Sequence, residues 1–301
     1  MQSFVSTIPG LAPFVVREAR RLGVRPGGVT SDGRADLVAF DGPPPQLRTA
    51  EAVFTAVRDL RTVTRPVRLV VRVQDESRFS RRDLRRRYAQ RLGPFATDRE
   101  DADELWVLQT RDGPIWVGRR VAQRSQRRRV ELPGALRPAV AAAMLELVAD
   151  ARLVVDPCCG SGTIPLATPA ALAGDLAAEA VAAARANGVV VVWRGDARRV
   201  PLRDNGATAA VTNLPFGRQH VVQGSPVAWY RRVLQEALRV APQAVVLAAA
   251  TQPFRQALGR LDADLAARYE ITLLGNRTVI WDVRRRSAGT PRPGERGGSR
   301  S

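Results

Sequence analysis

The sequence predicts an α/β chain in which a doubly wound parallel sheet, closed by a terminal antiparallel hairpin, follows a smaller α+β region. Three observations carry this expectation. From residue 153 onward, short apolar runs alternate with helical stretches, the pattern of parallel strands joined by crossover helices. Near the far end, residues 270–274 and 278–283 are strand-like and flank Gly275 and Asn276, which reads as a hairpin. A chain of 301 residues with 45% hydrophobic content is long enough for one large core or two smaller ones.

Taken in order, residues 4–8 read as a strand, residues 14–22 as a helix and residues 35–40 as a strand, before a Pro-rich break at residues 42–45. Apolar spacing then predicts a helix over residues 47–60, followed by a strand over 67–73. Ser80 and Asp83 form a capping box that opens a helix carrying Arg81, Arg82, Arg85, Arg86 and Arg87. Residues 105–108 and 115–117 read as two strands joined across Arg111, Asp112 and Gly113. An alanine-rich helix over residues 134–148, entered near Pro138, follows a boundary near residue 130. Beyond it, strands are expected at residues 153–155, 172–174, 189–192 and 209–212, with helices between them.

The net charge of +18 comes from 47 basic residues against 29 acidic ones, and every basic residue is arginine. Arginines cluster at residues 78–91, at 119–129 including Arg127, Arg128 and Arg129, and at 284–300 among Gly, Ser and Pro. Such clusters favour a polyanionic partner, a nucleic acid, although any single run also fits a solvated face. The last run reads as a disordered basic tail. Adjacent Cys158 and Cys159 cannot build a disulfide framework, which fits a reducing cytoplasm, and a lone histidine, His220, argues against a zinc site. With no basic leader before the first apolar residues and no apolar stretch of bilayer length, the expectation is a soluble cytoplasmic protein without membrane or metal partners.

The run Asp156-Pro157-Cys158-Cys159-Gly160-Ser161-Gly162-Thr163 follows an apolar strand, where ligands of parallel sheets collect. Gly160 and Gly162 allow close backbone approach. A phosphate-binding P-loop needs a lysine, which the chain lacks, and a dinucleotide fingerprint needs glycine where Pro165 stands. Acidic residues close the next two strands: Asp175, about 20 residues after the first loop, and then Asp196. Carboxylates suit a ligand with free hydroxyls and a positive charge, so the expected cofactor is S-adenosylmethionine. Asp175 would take the ribose hydroxyls, while Asp196 and the Ala197 amide would meet the adenine. Cys158 and Cys159 read as small packing residues.

Asn213-Leu214-Pro215-Phe216-Gly217 follows the fourth strand and opens onto the same sheet edge. An exocyclic base amine is a poor nucleophile because its lone pair is delocalised into the ring. Hydrogen bonds from its two N–H groups to the Asn213 side-chain oxygen and the Leu214 carbonyl would aim that lone pair at a methyl donor. Pro215 stiffens the turn, and Phe216 offers a stacking face. No cysteine stands here, which argues against a covalent route to C5 of a pyrimidine.

These two runs, extended to Pro165 in the first and to Thr212, Arg218 and Gln219 in the second, resemble the THUMP-domain guanine-N2 RNA methyltransferases. Residues 132–144 resemble the segment that in that group precedes the catalytic domain and touches the cofactor. Leu47-Arg48-Thr49-Ala50-Glu51 and Val117-Gly118 resemble the N-terminal and THUMP portions more weakly. The resemblance implies a ferredoxin-like part over 1–45, a THUMP-like RNA-binding domain over 46–130, a Rossmann-like methyltransferase domain over 131–284 and the tail over 285–301. It also implies that the THUMP region grips the acceptor end of tRNA and presents an acceptor-stem guanine, with the arginine runs on phosphates. Pro165 and Pro169 break the helix after the loop, and Ala177 stands where the group has an acidic residue. A ribosomal-RNA guanine-N2 enzyme, an adenine-N6 enzyme and a catalytically idle RNA-binding module remain the alternatives.

Overall fold

Alternating apolar residues of the N-terminal strands are satisfied on both faces of one continuous sheet. The computed structural model describes residues 1–77, 80–110, 113–121, 130–215 and 224–286. Contacts divide the chain into two units: one gathers residues up to 129 with Leu136–Glu146 and Glu270–Arg277, the other gathers Val130–Ala135, Leu147–Tyr269 and the chain from Thr278 onward.

The first unit holds β1 (Ser3–Thr7), β2 (Pro26–Ser31), β3 (Asp36–Phe40), β4 (Ala52–Ala56), β5 (Val67–Val73), β6 (Ala96–Thr97), β7 (Asp103–Gln109) and β8 (Ile115–Val121). They form one sheet in the order β2-β3-β1-β4-β8-β7-β5-β6. Helix α1 (Ala12–Arg21) packs Ala12, Val15 and Ala19 on Val5, Val38 and Val53. Helix α2 (Arg81–Leu92) packs Leu84, Tyr88 and Leu92 on Val67, Leu69, Leu105 and Val107. A third helix, α3 (Pro138–Glu146), spans less of the chain than the expected 134–148. Elsewhere in the sheet Phe4 stacks on Phe54 at 4.7 Å and meets the edge of Trp116 at 5.2 Å.

Residues 47–60 do not form the expected helix. Arg48 and Thr49 donate their amides to the buried Glu18 carboxylate at 3.0 and 2.9 Å, and the Glu51 amide donates to Ser6. The next residues become β4, paired antiparallel with β1 and β8. Val53, Phe54 and Thr55 suit a pleated surface, so tertiary pairing overrides the helical spacing. The capping box is half formed. Ser80 accepts from the Asp83 amide at 3.3 Å, but the Asp83 carboxylate is paired with Arg86 instead of returning to Ser80. The hairpin of β7 and β8 is antiparallel as expected, with Leu105 opposite Arg119. Arg111 and Asp112 in its turn lie outside the described residues.

The second unit holds β9 (Val154–Asp156), β10 (Ala171–Asp175), β11 (Val192–Arg194), β12 (Ala209–Asn213), β13 (Gln243–Ala248), β14 (Ala263–Leu273) and β15 (Asn276–Arg285). Their order is β11-β10-β9-β12-β13-β15-β14, with β15 antiparallel to β13. Helices α4 (Thr163–Leu166), α5 (Ala178–Ala186), α6 (Pro226–Val240) and α7 (Gln252–Gly259) complete it. Three corrections apply to the expected strands. A fifth parallel strand, β13, joins the four expected, and the terminal hairpin is longer at both arms. The third strand begins at Val192, leaving Val190 93% exposed. This is a Rossmann-like methyltransferase sheet, and its strand order reverses between β9 and β12, where such sheets bind ligands.

Gly118 of β8 is a packing glycine: a Cβ there would stand 2.6 Å from the Phe4 ring and 2.9 Å from the Phe54 Cβ. Gly118→Ala should therefore destabilise the first unit by about 1–3 kcal/mol through overpacking. Denaturant unfolding of the two proteins reads the difference, and an unshifted midpoint would show that the stacked rings yield freely.

Candidate active site

Buried apolar residues put β9 and β12 side by side, and their carboxyl ends carry the two motifs. The Asp156 side chain, in a residue 1% exposed, accepts through Oδ1 from the Cys158 amide at 3.1 Å and from the Thr212 hydroxyl at 2.8 Å. One carboxylate oxygen thus joins the start of the glycine loop to the strand that presents Asn213. Burial pushes the Asp156 carboxyl up to about 7, and the nearby Asp175 charge adds to this. The bonds from Thr212 and Cys158 pull the other way.

The loop beyond Asp156 is pinned from several sides. Cys159 donates its amide to the Gly174 carbonyl at 2.9 Å, Gly160 donates to Asp175 Oδ2 at 2.9 Å, and the Asn187 amide nitrogen donates to the Ser161 carbonyl at 2.9 Å. Its two glycines do different work. At Gly160, φ is +53° and a Cβ would project into open space. At Gly162, φ is +88° and a Cβ would sit 2.6 Å from Val189. The first leaves room for a ligand, whereas the second answers to packing. Thr163 begins α4, a helix of four residues, as short as Pro165 leads one to expect. Burial pushes the Cys158 and Cys159 thiols above their ordinary value, so they stay protonated and unreactive.

Asp175 and Asp196 close β10 and follow β11 at the same edge. Asp175 accepts from Gly160 through Oδ2 and from the Ala177 amide through Oδ1 at 3.0 Å. It organises the loop itself, with lone pairs left for a hydroxyl on each oxygen. Asp196 is bound on both oxygens by Arg198, with contacts down to 2.6 Å, and that hydrogen bonding holds its carboxyl below the usual range. Ala197 beside it is buried.

At the end of β12, Asn213 Oδ1 is buried and has no hydrogen-bond partner among the described residues. Leu214 donates its amide to Leu247 and turns its side chain into the core, 1% exposed. Tyr230 of α6 donates its hydroxyl to the Pro215 carbonyl at 3.2 Å and stands edge-on to Phe254. Phe216, Gly217 and His220 lie outside the described residues. Thr212, Tyr230 and Asn187 are site residues to which the sequence assigns no role. Only Thr212 carries a signal, its place next to Asn213.

The expected phosphate-contacting arginines of α2 are all exposed but not equivalent. Arg81 pairs with Glu76, Arg85 with Asp98 and Arg86 with Asp83, whereas Arg82 and Arg87 make no ion pair among the described residues. Arg127, Arg128, Arg129 and the tail from residue 287 lie outside the described residues. Among the described residues, no group of three or more His, Cys, Asp or Glu could hold a metal ion, and no helix is long and apolar enough to cross a membrane.

Residues 125–180 match the family model described as RMKL-like, methyltransferase domain. No curated protein matches the chain. Among solved structures, TrmN from Thermus thermophilus superposes with a TM-score of 0.73 at 21% identity, covering 94% of this chain and 99% of that one. A possible methylase from Clostridium difficile 630 gives 0.64 at 15% identity, covering 97% and 99%. A predicted N6-adenine-specific DNA methylase from Listeria monocytogenes gives 0.62 at 14% identity, covering 93% and 95%. At these identities the likeness shows a fold shared with these proteins along nearly the whole chain.

The raised Asp156 carboxyl has a direct consequence for stability. Folding favours its neutral form, so the contribution is fully present below the ordinary carboxylate value and is lost as pH rises from about 4 to about 7. Asp156→Asn should remove that loss, and its stability relative to the natural protein should grow across the same window. Parallel pH curves for the two proteins in urea unfolding would show that Asp156 ionises normally.

Proposed function

We propose that this chain, whose second unit has the S-adenosylmethionine-dependent methyltransferase fold, methylates the exocyclic N2 of a guanosine in the acceptor stem of tRNA. The observation that carries the reading is Asn213 Oδ1, a buried acceptor without a partner among the described residues. It stands on the strand that Thr212 bonds to the loop strand through Asp156. A buried acceptor left unpaired costs roughly 1–3 kcal/mol, and a substrate N–H would recover that cost.

The donor set fits S-adenosylmethionine. Open space beyond Gly160 admits a ligand against the backbone, Asp175 offers lone pairs to ribose hydroxyls, and Asp196 with the Ala197 amide suits an adenine edge. Asp156, Cys158, Ser161, Gly162 and Thr163, which belong to the same loop, are the remaining residues proposed to hold it. When bound, the cofactor supplies an electrophilic methyl group.

Asn213 Oδ1 and the Leu214 carbonyl accept the two amine protons and so turn the nitrogen lone pair toward that methyl. Pro215, fastened by Tyr230, holds the turn. Asp156 is too deeply buried to serve as a general base, and none is required because the proton leaves after the carbon–nitrogen bond has formed. RNA as substrate is supported by the charge of +18 and the exposed arginines of α2. Guanine-N2 and tRNA are supported by the resemblance of the Asn-Leu-Pro-Phe-Gly run to the THUMP-domain guanine-N2 RNA methyltransferases. The Listeria structure keeps an adenine amine as the second reading, since the same acceptors would hold it.

Asn213→Ala should abolish methyl transfer while RNA binding stays near that of the natural protein, and equal loss of both would sink the clamp. Nucleoside mass spectrometry of tRNA and ribosomal RNA after incubation with the enzyme identifies the product. N2-methylguanosine in tRNA alone is the expected result, and N6-methyladenosine would favour the second reading. On α2, Arg82→Ala with Arg87→Ala should lower the salt dependence of RNA binding more than Arg81→Ala with Arg86→Ala, because the latter pair is already engaged by carboxylates.

A further inference from the structure

One stripe of α6 and the loop after β11 enclose a cavity of about 560 Å³, lined by Arg199, Val200, Arg232, Gln235, Glu236 and Arg239. Arg232, Gln235, Glu236 and Arg239 recur at helical spacing and therefore share one face. Part of this wall is closed on itself. Glu236 is buried and accepts from the Val200 amide at 2.8 Å and from both arms of Arg239 at 2.8 and 3.0 Å. Arg239 also reaches Asp204 at 2.7 Å and the Val200 carbonyl at 3.1 Å.

That closure turns Glu236 to Arg239 and not to the other two cations of the wall. Arg232 stands four residues before Glu236, where a helical ion pair would ordinarily form, but the carboxylate is turned to Arg239 and Val200. Arg199 follows Arg198, which occupies Asp196. Arg199 and Arg232 are exposed, and neither makes an ion pair or side-chain hydrogen bond among the described residues. Two guanidinium groups thus line one cavity beside carboxylates that hydrogen-bond to Arg198 and Arg239. An anion in that cavity would be attracted by both.

We propose that this cavity is a phosphate site, in which Arg199 and Arg232 hold one phosphodiester of the RNA substrate and the Gln235 amide gives a further donor. The planar guanidinium fork matches phosphate oxygens. An open cavity with exposed arginines suits a polymer backbone, and the surplus of basic residues favours a polyanion over a small one. The inference rests on the RNA reading above but uses none of the residues of the amine clamp or the cofactor loop.

Filter binding of unmodified tRNA over a range of salt tests it. Arg199→Ala with Arg232→Ala should lower the slope of log affinity against log salt by about one. The double lysine variant should keep most of the slope, and S-adenosylhomocysteine binding should be unchanged in both. An unchanged slope in the double alanine variant overturns the proposal. So does a thermal stabilisation by inorganic phosphate that the alanine pair abolishes while the RNA slope stays intact, since the cavity would then serve a free anion. A natural protein that binds no RNA at low salt would instead overturn the RNA reading itself.

Discussion

The hydrogen bond from Thr212 to Asp156 joins the two strands on which every other element of the site hangs. Parallel strands are paired by their backbones, and such pairing sets register without dictating how the loops beyond the strand ends are held. Here one buried oxygen receives both Thr212 and the first amide of the glycine loop. A shift of either loop would strip a bond from a carboxylate that has almost no access to water. Burying that carboxylate is costly, which is why its protonation lies so far above an ordinary aspartate. The positively charged ligand proposed for the loop would offset the same cost, so the strand tie and the ligand preference come from one group.

How much of this could be read from the residues depends on how local the cause is. The glycine loop after β9 and the Asn213 turn after β12 were legible because a strand, a turn and a spacing announce them within a few positions. Val67–Val73 was legible for the same reason. The segment at residues 47–60 was not. Its apolar spacing suits a helix, and what overrides it is the Glu18 carboxylate about 30 residues away together with pairing to β1 and β8. Strand β13 was missed because an uninterrupted apolar run fits a buried helix as well as a strand. Thr212 and Tyr230 act across the fold, on Asp156 and on Pro215, and no local pattern marks such partners.

Charge shows the same division. Arginine clusters are plain in the sequence, but their availability is not. Arg85 of α2 is held by Asp98 and by the Leu69 carbonyl, whereas Arg87 two positions on makes no ion pair among the described residues. On α6, Glu236 hydrogen-bonds to Arg239, and Arg232 makes no ion pair among the described residues. Surface pairs are weak, about 0–1 kcal/mol each, so a polyanion can compete for the paired arginines as well. The structure therefore grades the basic surface, with unpaired guanidinium groups as the positions where a phosphate displaces only water.

Of four buried side-chain atoms that find no hydrogen-bond partner among the described residues, Asn213 Oδ1 alone stands at the end of β12, the strand beside the one that leads into the glycine loop. Orphaned acceptors are disfavoured by folding alone, so this one is better understood through what completes it. A hydroxyl would also fill the vacancy, but its single donor engages one acceptor. An amine presents two N–H groups in a plane, and the Leu214 carbonyl stands next in the chain. Leu214 itself is anchored by its amide on Leu247 and by its side chain in the core, and Pro215 by Tyr230. The turn is thus held from behind, and its unpaired acceptor is kept rigid rather than left to relax onto a neighbour. Rigidity of that kind favours a planar amine whose lone pair must be aimed, and it is the physical reason for the amino-group methylation proposed for the turn.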